Sequence, residues 1–229
     1  MKDPIRTLNN IKLIGTAHFS PESADQVKRL ISEWKPEFVM LELDTTRFMK
    51  LTADDKEEVV EEKQEETSET PNFLQILQNF QEALGKELHL QAGIEMIAAA
   101  QAAKEHGAKI LLIDQPIQKT FELLLNIPEE EKEDFATIQQ TEEDSGSLHE
   151  AFEEIMNTLQ EPDGYSKLVA ELKSAYPNLY EILVESRDEY MLTQILEHLK
   201  KYPNSRVLIV VGYGHLESIH KELETKITS

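Results

Sequence analysis

The hydrophobic positions of this chain form four short apolar runs, separated by longer stretches in which apolar residues recur at helical spacing. Such runs are typical of buried strands, and they lie at 11–14, 37–44, 109–114 and 206–211. After the first run, Ser20-Pro21-Glu22 is a helix start signal, and apolar residues follow at helical spacing as far as Trp34. The order strand, helix, strand at the beginning of the chain therefore predicts a parallel pair of strands.

Helical spacing dominates the middle of the chain and returns after the last strand. Helices are predicted near 72–84, 90–106, from Gln115 onwards, 165–199 with an interruption at 176–178, and 215–226. The fold class is therefore α/β, with a central, mostly parallel sheet formed by the N- and C-terminal segments and a large helical middle region. We expect one domain over 1–229, with an acidic linker or spur at 54–70 and an acidic helical insertion at 129–163.

The composition narrows the classes of protein to which the chain can belong. Its 229 residues carry 44 acidic and 23 basic side chains, a net charge of −21, which argues against a nucleic-acid partner because phosphate binding needs Lys and Arg. No cysteine is present, so disulfides and thiolate chemistry are excluded. With neither a signal-peptide core nor a membrane-length apolar run, we expect a cytoplasmic protein without a membrane segment; a homodimer stays open.

Side chains that can carry chemistry follow the predicted strands. Ligands of parallel α/β sheets bind at the carboxyl ends of the strands, and the residues expected there are His18, Glu42, Asp44, Asp114 and His215. Both histidines stand three residues after a glycine that ends an apolar run, Gly15 or Gly212. A histidine at such a place can act as a general base or supply a nitrogen to a divalent metal.

Glu42 is the most informative of these residues, because it interrupts an apolar run. A buried carboxylate needs an ionic, hydrogen-bonding or metal partner, and the nearby Arg47 could pair with it. Asp44 and Asp114 each precede a predicted helix, which favours a role as helix caps over a role as ligands. Glycine at the turns Gly15, Gly212 and Gly214 would permit unusual backbone angles or the close approach of another group.

Two further groups of charges have a structural interpretation beside a functional one. Glu95 begins a mostly apolar helix, where an acid is favoured by the helix dipole. Arg187 and Asp188 interrupt the long late helix, and an ordinary solvated ion pair would explain them. The other histidines lie in helical or polar settings and receive no role: His89, His106, His149, His198 and His220.

Five blocks of the sequence together resemble one family. In order they read IGTAHFSPESADQVKRLI, KPEFVMLELDTTR, GIEMIAAAQAAKEHGAKILLIDQPIQKT, ESRDEYM and VLIVVGYGHLESI. They resemble the TraB/PrgY family, which is grouped with the Tiki metalloproteases and, more distantly, with the erythromycin-esterase and ChaN-like proteins. The resemblance covers about 9–221 and has one visible departure, Gln115 where members often have arginine after the aspartate.

The resemblance implies a metal-dependent, peptidase-like hydrolase that uses manganese, cobalt or zinc. Some members are linked to the shutdown of peptide pheromone signalling. Residues that match the motifs, and for which a catalytic role is thereby implied, are His18, Glu42, Arg47, Glu95, Arg187, Asp188 and His215. Three of them are the expected metal ligands: His18, Glu42 and His215.

Three functions remain open from the sequence. The first is metal-assisted hydrolysis of a peptide or small-molecule amide, in which the ion lowers the pKa of a bound water. The second is a metal-independent hydrolase of the erythromycin-esterase type, in which a histidine beside glutamate and arginine activates water. The third is a protein that binds a peptide or another ligand without turnover, which the Gln115 departure favours.

Overall fold

The computed structural model describes residues 4–16, 21–52, 93–131 and 164–228. Five strands are described: β1 (Ile5–Leu8), β2 (Ile11–Thr16), β3 (Phe38–Leu41), β4 (Lys109–Leu112) and β5 (Val207–Gly212). The helices before β5 are α1 (Pro21–Trp34), α2 (Thr45–Thr52), α3 (Ile94–Glu105), α4 (Ile117–Leu125), α5 (Gly164–Ala175), α6 (Pro177–Tyr180) and α7 (Ser186–Lys201). Helix α8 (Tyr213–Thr228) follows β5.

The five strands form one sheet in the order β1-β2-β5-β3-β4. Only β1 is antiparallel to its neighbour, whereas β5 lies between β2 and β3 and is parallel to both. The predicted α/β fold, with a mostly parallel sheet built from both ends of the chain, is confirmed. Because Thr16 pairs with Gly212 and Leu41 with Val210, β2, β3 and β5 end at the same edge of the sheet.

Strand β1 was not predicted. It pairs with β2 from Ile5 opposite Ile14 to Leu8 opposite Ile11, and the hairpin turns at Asn9, whose φ of 52° is one that asparagine tolerates. The strand has four residues, with the polar side chains of Arg6 and Thr7 in its centre. A short, polar strand of this kind is common at a sheet edge, where it carries a weak hydrophobic signal.

Among the described elements, two helices pack on each face of the sheet along β5. Along β5 the alternate residues Val207, Ile209 and Val211 pack with α7 and α8, whereas Leu208 and Val210 pack with α1 and α3. Helix α3 contributes small side chains to that second layer: Ala99, Ala100, Ala102 and Ala103. A strand buried on both faces reads as a continuous apolar run, which explains the sequence signal.

Several predictions concern residues at the limits of these elements or outside them. Asp44 caps α2 as predicted, because its Oδ1 accepts the backbone N–H groups of Thr46 (2.7 Å) and Arg47 (3.2 Å). The break near 176–178 also occurs, since Tyr176 separates α5 from α6. The acidic segment 54–70, the helix at 72–84, and His18 with Ser20 lie outside the described residues. Of the acidic segment 129–163, only 129–131 are described, so its domain role stays a prediction.

The chain between α6 and α7 contains a feature without a sequence signal. Glu181–Glu185 form a π-helical turn that runs directly into α7. Such turns change the rotation of the helix that follows and often occur at functional sites. This one directly precedes Arg187 and Asp188.

Candidate functional site

Glu42 lies at the carboxyl edge of the sheet and is 3% exposed. Its backbone N–H donates to the carbonyl of Val210 (3.1 Å), and its Oε2 accepts the N–H of Gly212 (2.6 Å). Its Oε1 contacts Nη2 of Arg187 and lies 3.3 Å from Nε2 of His215. The carboxylate is thus fixed to β5 by one oxygen and directed at two cationic groups by the other.

Arg187 holds the carboxylates at the ends of β3 and β4 together. Its Nε donates to Asp114 Oδ1 (3.0 Å) and its Nη2 to Asp114 Oδ2 (2.8 Å), while the same Nη2 contacts Glu42. Nη1 donates to the carbonyl of Leu183 in the π-helical turn (3.1 Å). Burial lowers the pKa of Arg187, but the charges of Glu42 and Asp114 outweigh it and raise the pKa. The guanidinium therefore stays charged.

Two predictions for this edge are wrong, one about an ion pair and one about a helix cap. Arg47 does not pair with Glu42; its Nη1 donates to Asp114 Oδ2 (3.0 Å). Asp114 does not cap the helix after β4, because that helix begins at Ile117 without a side-chain cap. Asp114 instead receives two arginines and the backbone N–H of Gln115 (2.8 Å).

His215 lies in the first turn of α8 and faces two carboxylates. Its Nδ1–H donates to Asp188 Oδ1 (2.6 Å), and its Nε2 faces Glu42. His215 is 5% and Asp188 8% exposed, so the interpretation of Arg187 and Asp188 as a solvated pair is wrong. Burial lowers the pKa of His215, but the charge of Glu42 and the hydrogen bonds with Asp188 and Glu42 raise it to about 9, against a smaller opposing effect of Arg187.

The glycines of the two Gly-x-x-His motifs differ in what they do. A Cβ on Gly15 would lie 2.8 Å from Leu216 Cδ2, so this glycine permits the close approach of α8 to β2. Gly212 supplies the N–H that binds Glu42, and Gly214 lies within the first turn of α8. The expectation of a loose turn at Gly214 is wrong, since α8 begins directly after β5.

Glu95 and His18 complete the predicted set. Glu95 lies in the first turn of α3, is fully buried and belongs to the helix that covers β3. His18 lies outside the described residues, so its place relative to Glu42 and His215 stays a prediction. The structure thus brings together Glu42, Arg187, Asp188 and His215 in one contact network, to which Arg47 is joined through Asp114.

The site contains two donors that suit a divalent ion. Over the four described ranges no group of three or more His, Asp or Glu side chains has the spacing of a metal site. His215 Nε2 and Glu42 Oε1 are nevertheless 3.3 Å apart, close to the roughly 3.4 Å that separates two ligands about 2.1 Å from a tetrahedral ion. Asp188 fixes Nδ1 of His215 as carboxylates do behind metal-binding histidines. These two donors fit an ion in type and spacing.

Comparison with known proteins assigns the chain to a family. The TraB/PrgY/gumN family profile matches residues 6–226. The chain belongs to the TraB/PrgY/gumN family. It is 34% identical over 224 residues to an uncharacterized protein of Methanocaldococcus jannaschii, and 25% identical over 247 residues to a TraB domain-containing protein of Mus musculus. The aligned parts cover 94% and 96% of this chain but 53% and 64% of those relatives.

Two further observations bear on this family member. Gln115 is 2% exposed and donates through Nε2 to Thr120 Oγ1 (2.8 Å). Asp114 beside it still receives two cations, because Arg47 and Arg187 come from α2 and α7. None of the helices in the described ranges combines the length and apolarity needed to cross a membrane.

Proposed function

We propose that this TraB/PrgY/gumN family member is a hydrolase that cleaves an amide or peptide bond at the carboxyl edge of its sheet. One observation supports the proposal most: Nε2 of a buried histidine faces a buried carboxylate at 3.3 Å, while Asp188 fixes the opposite ring nitrogen. A histidine oriented in this way presents one nitrogen for proton transfer or for metal binding.

The roles of the side chains follow from their contacts. Asp188 accepts the Nδ1–H of His215, so Nε2 is the nitrogen available at the reaction centre. Gly212 N–H and Arg187 hold the Glu42 carboxylate in its charged form beside that nitrogen. Arg187 also keeps positive charge where an oxyanion would develop from the carbonyl group of the substrate.

A divalent ion is part of this proposal, with Glu42, His215 and His18 as its ligands. Such an ion, whether manganese, cobalt or zinc, would lower the pKa of water and polarise the carbonyl group of the substrate. Glu42 and His215 meet the requirement for oxygen and imidazole donors. His18 is proposed on the sequence motif alone.

A metal-independent hydrolase is the second candidate, and the pKa of His215 favours it. A pKa of about 9 keeps the imidazole protonated at neutral pH, so Nε2–H can donate a proton to the leaving nitrogen. Glu42, ionised beside Arg187, can accept the proton of the attacking water. No ion is needed for either transfer.

The test is peptide hydrolysis by purified protein that is first freed of metal with a chelator and then supplied with manganese, cobalt or zinc. We expect His215→Ala and Glu42→Gln to lose about 100- to 10,000-fold in kcat, the usual contribution of acid–base groups. His220→Ala is the matched control, since it removes a second histidine from the same helix. Equal activity of all three variants would refute the site, whereas wild-type activity that survives chelation would favour the metal-independent candidate. Stoichiometric binding of peptide without turnover under any condition would refute both.

A further inference from the structure

The charges of the site are arranged in a gradient from the interior to the surface. Glu42 and Asp114 have side chains that are 3% and 2% exposed, Arg187 is 17% exposed, and Arg47 is 38% exposed. The two carboxylates and the two guanidinium groups balance in charge. Among these four groups the carboxylates are therefore the most buried and the Arg47 guanidinium is the most exposed.

Arg47 and Arg187 differ in how many of their donors are used. Arg187 donates from Nε, Nη1 and Nη2 to protein acceptors. Arg47 donates from Nη1 to Asp114, and within the described ranges its Nε and Nη2 have no protein acceptor. Nε and one Nη form the planar fork with which arginine binds carboxylates bidentately. Arg47 is thus held in place by one nitrogen and keeps donors for a ligand.

Neutralising the charge of Asp114 does not by itself explain why Arg47 lies at this site. Asp114 already receives the two-pronged contact of Arg187 and the N–H of Gln115, so its buried charge has partners without Arg47. An ion pair with a partly exposed arginine adds little to stability. Asp114 instead prevents the Arg47 side chain from turning away, which reduces the entropy that binding a ligand would cost.

We infer that Arg47 binds a carboxylate of the substrate close to the bond that is cleaved. The inference rests on the proposed hydrolase and gives its substrate class: peptides or N-acyl amino acids with a carboxylate near the scissile amide. That carboxylate is either the C-terminus or an acidic side chain. In a chain of net charge −21, an anionic group is repelled in general, so a fixed cation at the site selects where it binds.

The experiment uses three peptides of equal length: one with a free C-terminal carboxylate, its C-terminal amide, and the amide form with one internal aspartate. We expect wild type to prefer a carboxylate-bearing peptide, and Arg47→Gln to remove that preference by raising KM about 10- to 100-fold, the range for a lost hydrogen bond to a charged group. The loss of kcat/KM on the peptide amide should be smaller, because the amide lacks the carboxylate. Arg47→Lys should restore part of the preference, since it returns the charge without the fork. Preference for the free C-terminus or for the internal aspartate shows which of these two carboxylates Arg47 binds.

Lys50→Gln is the matched control, because it removes an exposed positive charge from the same helix. An equal loss on carboxylate and amide peptides in Arg47→Gln would overturn the inference, as would wild type without a preference. If no peptide is cleaved, the proposed function fails on its own, and calorimetric binding of N-acetylalanine against N-acetylalaninamide decides the inference. Tenfold weaker binding of the acid in Arg47→Gln would support it, and unchanged binding would overturn it.

Discussion

Two histidines at opposite edges of the same sheet are both buried, but they differ in their contacts and in the direction in which their pKa shifts. His215 follows β5 at the carboxyl edge, is 5% exposed and contacts two carboxylates. His198 lies on α7 near Phe38, the first residue of β3, and is 7% exposed. Its ring packs at 4.3 Å against Phe38 and 4.9 Å against Tyr202, and its Nε2 has no hydrogen-bond partner among the described residues.

The two pKa values move in opposite directions for this reason. Burial lowers the pKa of His198, and the charge of Lys201 lowers it further. Burial acts on His215 too, yet Glu42 and Asp188 raise its pKa to about 9. Burial alone therefore does not determine the charge of a histidine in this fold; its partners do. His215 has such partners at the carboxyl edge, where Glu42 follows β3 and Asp188 reaches the ring from α7.

The largest effect on the carboxyl edge is expected when its central cation, Arg187, is removed. Arg187→Met leaves Glu42 and Asp114 buried without their shared partner, so we expect the free energy of unfolding to fall by about 3–5 kcal/mol. Urea unfolding with a chelator present measures it. The exposed pair of Lys173 and Glu185 is the control, and Lys173→Met should leave stability unchanged. Equal effects of Arg187→Met and Lys173→Met would show that burial of the Arg187 ion pairs does not increase their contribution to stability.

The second effect is the dependence of stability on pH at the carboxyl edge. The pKa of His215 is about 9 in the folded protein and about 6.5 in the unfolded chain, so its stabilising effect is complete below pH 6.5 and is lost as the pH rises through 9. The total is on the order of 3 kcal/mol. Urea midpoints from pH 6 to 10, measured on chelator-treated protein, should fall in wild type more steeply than in His215→Gln. Parallel curves would contradict the raised pKa.

Four strands and the buried carboxylate could be predicted from the sequence, whereas the ion pairs between distant elements could not. Apolar runs identified β2 to β5, and the charge inside one run identified Glu42, because burial on both faces leaves a direct trace in the residue types. The partner of Glu42 left no such trace: Arg187 is 145 positions away, and Arg47, five residues away, was the natural but wrong expectation. Ion pairing depends on which elements become neighbours, which local spacing does not encode.

His198 shows a signal that was present but not used. It stands seven residues after Met191 and three after Ile195, both fully buried, and therefore on the same face of α7. That spacing indicates burial, although the residue received no role from its sequence setting. The π-helical turn before α7 had no comparable signal, since the sequence EILVE is compatible with an ordinary α-helix.

The third prediction concerns His198, at the opposite edge of the sheet, and the free energy of unfolding. His198→Phe removes a ring nitrogen that has no partner and retains the aromatic packing, so we expect a gain in stability of about 1 kcal/mol. The pKa of His198 is lowered on folding, so wild type loses stability as the pH falls below 6.5, whereas the phenylalanine variant keeps it. The gain should therefore be larger at pH 5 than at pH 8 in thermal unfolding. His220→Phe, on α8, is the control, and an equal gain there would contradict the interpretation.

The smallest effect separates the two causes of the lowered pKa of His198. Lys201→Gln removes the nearby charge and leaves the aromatic packing intact, so the pKa should rise but stay below its ordinary value. Imidazole resonances followed by NMR during a pH titration measure the shift. Because surface charges are screened by salt and burial is not, 0.5 M salt should raise the pKa of wild type and leave that of Lys201→Gln nearly unchanged. A return to the ordinary value in Lys201→Gln would mean that charge, not desolvation, sets the state of His198, and the contrast between the two edges would then be one of charges alone.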